Sequence, residues 1–229
     1  MWSSKVFLEK TMKEYSSIGP DFPVLSIGEV ASGYIAIIIL SAILRYLVFP
    51  FILDGHLQER YITTVALEFA VVIAMSCVAL ARPRIFCVIS LRVGLWQILL
   101  ASVVGIVGAN ISVLVALSSL RADREPFDLF RIILFVVVVP PIEELLFRGI
   151  CFEALFRKYS LPLSILICSL AFASFHTLFG VGMIGGILLT CVYVVSRHSL
   201  TASIIAHTTT NLVLNAPMGF LLYTHYRLR

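Results

Sequence analysis

Eight side chains that carry charge or strong hydrogen-bonding capacity fall inside long apolar runs: Arg45, Glu68, Glu143, Glu144, Arg148, His176, His207 and Asn211. Each charge at mid-bilayer depth costs about 2.5–3.5 kcal/mol on insertion scales, so each needs a reason. Six of them gather in the last half of the chain. In Pro140-Pro141-Ile142-Glu143-Glu144-Leu145-Leu146-Phe147-Arg148, the prolines break the preceding apolar run and suit the first turn of a helix. The two glutamates would then lie near a helix N-terminus, where the dipole favours negative charge. Glu144 and Arg148 are four apart and can pair on one face. Glu143 points about 100° away and lacks that partner, as the 3.6-residue period requires. Two adjacent carboxylates with one cation between them titrate differently, which leaves one available as a base. Phe172 and His176 share a helical face, as do His207 and Asn211, again at a spacing of four. A base, two imidazoles and a carboxamide are the parts needed to activate water and to hold a developing oxyanion. Each histidine alone would more simply be a core residue bonded to a carbonyl; the set together points to catalysis or metal binding.

Arg45 and Glu68 form a separate set. They lie 12 residues before and 11 after a turn centred near residue 57, so in an antiparallel hairpin they reach similar depth. An interhelical ion pair is the expectation, with a proton or substrate path as the alternative.

The elements that must carry these groups follow from composition. Of 229 residues, 60% are apolar and 13% charged, with a net charge of +4 and a mean hydropathy of +1.02. A soluble domain carries about 25% charged residues, and its surface needs them. A soluble enzyme, a disordered chain and a DNA-binding domain are excluded, and with no Lys/Arg run longer than two, nucleic acid is not a partner. At about 20 residues per span, the expected fold is an all-α, polytopic membrane bundle of about seven (six to eight) transmembrane helices. The apolar runs lie at about 31–53, 62–81, 94–120, 132–152, 161–179, 181–196 and 201–223. Residues 1–30 read as a polar, interfacial segment without an apolar signal-peptide core, and 31–229 as a single helical membrane domain. If the seven spans alternate, nine Lys/Arg fall on the N-terminal side and six on the other, which favours a cytoplasmic N-terminus. The five cysteines, Cys77, Cys87, Cys151, Cys168 and Cys191, form no Cys-x-x-Cys and read as small buried hydrophobes. Gly182 and Gly186 read as a close helix-packing seam.

Depth is only partly consistent. Counted from a shared membrane side, Glu143 lies about 9 residues in, Asn211 about 10 and His207 about 6, whereas His176 lies nearer 15. Competing chemistries lack their motifs. There is no His-Glu-x-x-His and no Gly-x-Ser-x-Gly, and no Asp lies in a span.

Glu-Glu-x-x-x-Arg, then Phe-x-x-x-His, then His-x-x-x-Asn, in that order on three late helices, resembles the CAAX-protease and bacteriocin-processing (CPBP, or Abi) family of intramembrane endopeptidases, over about residues 130–223. The resemblance implies that Glu143 activates the hydrolytic water, helped by His176. It further implies that His207 and Asn211 stabilise the oxyanion, and that Glu144 and Arg148 shape the site. The family is described both as metallo- and as glutamic proteases. Zinc at Glu143, His176 and His207 would suit the donor types, but no cofactor is the favoured expectation.

The resulting expectation is an intramembrane endopeptidase in a prokaryotic cell membrane. It acts on a membrane-associated peptide or protein, such as a prenylated CAAX-type tail, with the lipid bilayer as its other partner. The alternatives are a non-catalytic membrane immunity or binding protein, which would tolerate Glu143→Gln, and a proton-coupled transporter, which would show flux in liposomes.

Overall fold

The structure is a computed structural model that describes residues 25–48, 66–67, 69–74, 77–78, 93–117, 133–176 and 178–227. Among them no strand occurs, and the architecture is an all-α bundle. Its helices are α1 (Ile27–Ile43), α2 (Leu95–Leu117), α3 (Val139–Glu144), α4 (Glu153–Phe156), α5 (Leu161–Ala173), α6 (Phe179–Val195) and α7 (Leu200–Arg227). Wider π-helical turns at Leu44–Val48, Leu134–Val138 and Leu145–Phe152 extend α1 and join α3 to α4 in one continuous helical run.

Local sequence explains the boundaries. α1 starts at Ile27, inside the stretch read as polar, because Ser26-Ile27-Gly28-Glu29 is a capping box. The Ser26 backbone N–H donates to Glu29 Oε2 at 2.7 Å, and the Glu29 N–H donates to Ser26 Oγ at 3.3 Å. Pro140 and Pro141 do not break the helix. Val138, Val139 and Leu145 all keep helical angles, so the run continues through the prolines. Glu143 and Glu144 therefore lie within a helix rather than at its N-terminus, and the dipole does little for them. The carbonyls that lose a donor to the missing proline N–H groups are met from α7 instead. Asn211 Nδ2 donates to Phe135 O at 2.8 Å and Thr208 Oγ1 to Val136 O at 3.1 Å. This satisfies backbone acceptors that hydrocarbon could not.

Two helices, Ile27–Val48 and Leu95–Ser112, are long and apolar enough to cross a membrane. They expose large apolar side chains, including Leu47 at 63%, Trp96 at 71% and Val103 at 58%. α5 is shorter than its apolar run: 13 residues rise about 20 Å against roughly 30 Å of hydrocarbon. It ends at Ala173, so His176 falls in the α5–α6 turn and not inside a span. From that turn His176 lines the same cavity as His207.

The main core is aromatic and aliphatic, built from Phe147, Phe152, Phe172, Leu189, Val192 and Tyr193 among others. A second cluster joins α1 to the rest through Ile37, Ala70, Val71 and Ile150, and Tyr34 donates to Ala171 O at 3.3 Å. Close helix approach depends on three glycines. A Cβ at Gly182 would stand 2.9 Å from Ala173 Cα and His176 Cβ, and one at Gly186 would stand 3.0 Å from Ser169 Cα. The Gly182/Gly186 seam thus packs α6 on α5, as its spacing indicates. A Cβ at Gly105 would meet Ala206 O at 2.5 Å, which makes α2 and α7 near neighbours.

Cys168 is buried and donates to Phe147 O at 3.2 Å. Cys77, Cys151, Cys168 and Cys191 are free thiols, and Cys87 lies outside the described residues. Glu68 and most of residues 1–30 lie outside them as well, and so does the expected Arg45–Glu68 pairing. The Arg45 guanidinium stands 4.9 Å over the Tyr46 ring.

Candidate active site

The continuous run through α3 places Glu144 and Arg148 one turn apart and fully buried. Arg148 Nη1 donates to Glu144 Oε1 at 3.0 Å. Its Nη2 donates to Gly186 O at 3.0 Å, and its Cζ lies 4.5 Å over the Phe172 ring. Burying an ion pair requires such saturation, because an unmatched charge in a dry interior is costly.

Glu144 also reaches α7. His207 Nδ1 lies 2.8 Å from Glu144 Oε1, and the Ser203 hydroxyl donates to Glu144 Oε2. Facing an ionised carboxylate, Nδ1 carries the hydrogen and donates it. Both ring position and edge are thereby set, and Nε2 is turned the other way. It stands 3.6 Å from Glu143 Oε2. Glu143 is buried at 7% exposure, and its Oε2 has no hydrogen-bond partner among the described residues. The neighbouring carboxylates have therefore separated by partner: Glu144 is saturated, and Glu143 presents an unsatisfied oxygen to the imidazole.

His176 Nδ1 is bonded to Phe172 O at 3.0 Å, and its ring lies 4.4 Å from that of Phe172. Phe172 also meets His207 edge-on at 5.7 Å, so one phenyl ring spaces both imidazoles. His176, His207 and Asn211 line a single cavity of about 80 Å³, closed by Phe172, Gly182, Gly185, Leu189 and Val104. Glu143 is not part of that lining; it adjoins the cavity through His207. All six predicted site residues thus lie on α3, the π turn after it, the α5–α6 turn and α7. Glu143, Glu144, His176 and Asn211 meet His207 directly or share a cavity wall with it, and Arg148 is tied to it through Glu144.

Zinc fits this arrangement poorly. Among the described residues no group of three or more His, Cys, Asp or Glu is placed to hold one ion. Both histidines bond through Nδ1, one to a carboxylate and one to a carbonyl, which leaves each Nε2 as the remaining ring nitrogen. No step below is routed through a metal.

Several residues of the site were not singled out in the sequence. Ser203 completes the shell around Glu144, but α7 is rich in Ser and Thr, and nothing in spacing sets it apart; Gly186, read only as a packing position, supplies the carbonyl for Arg148. Glu153 is a different case. It is buried just past the run 132–152, accepting from Tyr193 OH at 2.8 Å and pairing with His198 Nδ1 at 2.7 Å. A span drawn one residue longer would have included it.

No curated protein and no solved structure matches the chain significantly. Residues 125–213 match the family model described as type II CAAX prenyl endopeptidase Rce1-like. That stretch contains every residue of the cluster, from Glu143 to Asn211. Residues 125–213 are thus similar to an Rce1-like type II CAAX prenyl endopeptidase domain, which is consistent with the resemblance to the CPBP family.

Proposed function

We propose that the chain is an intramembrane endopeptidase that hydrolyses a peptide bond with a water activated by Glu143. The observation that carries this reading is the buried, unpartnered Glu143 Oε2 standing 3.6 Å from an imidazole that Glu144 already holds on its far side. A water oxygen can lie about 2.8 Å from both atoms, within ordinary hydrogen-bond reach. As it attacks the carbonyl carbon, its proton passes to Glu143. His207, with a hydrogen on both ring nitrogens in this step so that Nε2–H donates, and Asn211, beside it on α7, hold the carbonyl oxygen as charge develops there. The tetrahedral intermediate then collapses, the C–N bond breaks, and Glu143 returns its proton to the leaving nitrogen. His176, fixed by Phe172, helps to orient the water from the α5–α6 turn. The substrate class is a membrane-associated peptide, in line with the family match, and a prenylated C-terminal tail is the form to try first.

The test is proteolysis by the full chain purified in detergent, read by mass spectrometry on a prenylated C-terminal peptide and its unprenylated counterpart. Cleavage that is lost in both Glu143→Ala and His207→Ala is expected. Wild-type turnover by either variant would refute the assignment. Activity that survives chelator treatment of metal-free protein is expected, and loss restored by zinc alone would overturn the metal-free route.

A further inference from the structure

Buried hydroxyls in membrane helices usually bond back to the carbonyl one turn earlier. Thr190 donates to Gly186 O at 2.7 Å and Ser164 to Ser160 O at 3.0 Å, while Thr210 bonds back to Ala206 O at 2.9 Å and also reaches Gly105 O at 3.1 Å. Ser203, one turn before His207 and fully buried, does otherwise. Its hydroxyl crosses to Glu144 Oε2, with Leu189 O at 3.3 Å as a second acceptor. Glu144 is consequently held at both oxygens, Oε1 by Arg148 and His207 and Oε2 by Ser203. A carboxylate held at one oxygen can swing about its Cγ–Cδ bond, and one held at both cannot. Arg148 meets only the first oxygen, with Nη1 on Oε1, Nη2 on Gly186 O and Nε without a hydrogen-bond partner among the described residues, so the second oxygen is held by Ser203. Since His207 takes its ring orientation from Glu144, any swing of that carboxylate becomes an error in where Nε2 points. Ser203 does not line the cavity.

We propose that Ser203 is a positioning residue of this site: by fixing the second oxygen of Glu144 it sets the orientation of the His207 ring. The inference rests on the peptidase reading for its kinetic consequence, but not for its structural one. Removing a charge-assisted hydrogen bond two steps from the reacting atoms predicts that Ser203→Ala lowers kcat by about tenfold, with KM changed by less than about twofold. Ser203→Cys, nearly isosteric and a weaker donor, falls between alanine and wild type, and serves alone if the alanine variant does not fold.

The experiment pairs these kinetics with 15N NMR of histidine-labelled full chain in detergent, the His207 ring signals being assigned by their loss in His207→Gln. The expected result is a shifted or broadened His207 Nδ1/Nε2 pair in Ser203→Ala, with helical content retained. An unchanged His207 spectrum overturns the proposal, as does wild-type kcat in the alanine variant. If the wild-type chain cleaves no peptide, the function assignment fails, and the spectrum still decides the link from Ser203 to His207.

Discussion

At the scale of single residues, Glu143 and Glu144 are adjacent in sequence and opposite in circumstance. Glu144 is saturated by Arg148, His207 and Ser203, whereas Glu143 Oε2 is buried with no hydrogen-bond partner among the described residues. A group kept in that state weakens the fold and serves only a reaction. Glu143→Gln is therefore expected to abolish turnover while leaving the unfolding midpoint in detergent unchanged or raised. A lowered midpoint would mean that Glu143 stabilises the fold. Arg148→Met should do the reverse and destabilise by about 3 kcal/mol, because it leaves the Glu144 carboxylate buried without its cation. Thermal unfolding of the two variants side by side checks both signs. The contrast was legible in the spacing of Glu143, Glu144 and Arg148, since only Glu144 shares a face with the arginine. Ser203 was not legible, because a hydroxyl that bonds backward and one that crosses to another helix look alike in sequence. Zinc was left open by donor types alone, and among the described residues no group of three or more His, Cys, Asp or Glu is placed to hold one ion.

At the scale of elements, the site depends on where helices are interrupted and how closely they approach. Pro140 and Pro141 leave the carbonyls of the Leu134–Val138 turn short of donors, and Asn211 and Thr208 supply them from α7. That ties the segment bearing Glu143 to the segment bearing His207. Restoring a backbone donor with Pro140→Ala should loosen this tie and lower kcat more than it raises KM, by steady-state kinetics. Gly182 brings α6 against the turn that carries His176. In Gly182→Val the branched side chain collides with Ala173 and His176, and activity should drop at least tenfold with the global fold kept; near-normal turnover would show that the His176 turn is not needed. The positions of the apolar runs were visible in sequence, yet two boundaries were not. The capping box at Ser26 and Glu29 starts α1 within a stretch read as polar, and α5 ends at Ala173 although apolar residues continue beyond it. Hydropathy reports what a bilayer tolerates. It does not report where the chain turns.

At the scale of the whole molecule, the 13% of charged residues explains why the buried ones concentrate meaning. Ile27–Val48 and Leu95–Ser112, long and apolar enough to cross a membrane, expose aliphatic and aromatic side chains. Trp96 is a convenient reporter, being 71% exposed near the start of α2, and the chain has only two tryptophans. In Trp2→Phe protein reconstituted into liposomes, brominated lipids should quench the remaining fluorescence strongly and aqueous iodide weakly; the opposite order would place that face of α2 in water. Composition alone established the all-α membrane class, since no soluble surface could be built from so few charges. The family match over residues 125–213 covers the helices that hold the cluster.

The central claim is that Glu143 activates solvent water against a peptide carbonyl, and single-turnover cleavage in 18O-labelled water tests it most directly. With excess purified full chain and a membrane-associated peptide, the wild type should place one 18O in the newly formed C-terminal carboxylate, and Glu143→Gln should yield no cleaved product on the same timescale. Cleavage at the wild-type rate by Glu143→Gln, or a first-turnover product without 18O, would contradict it.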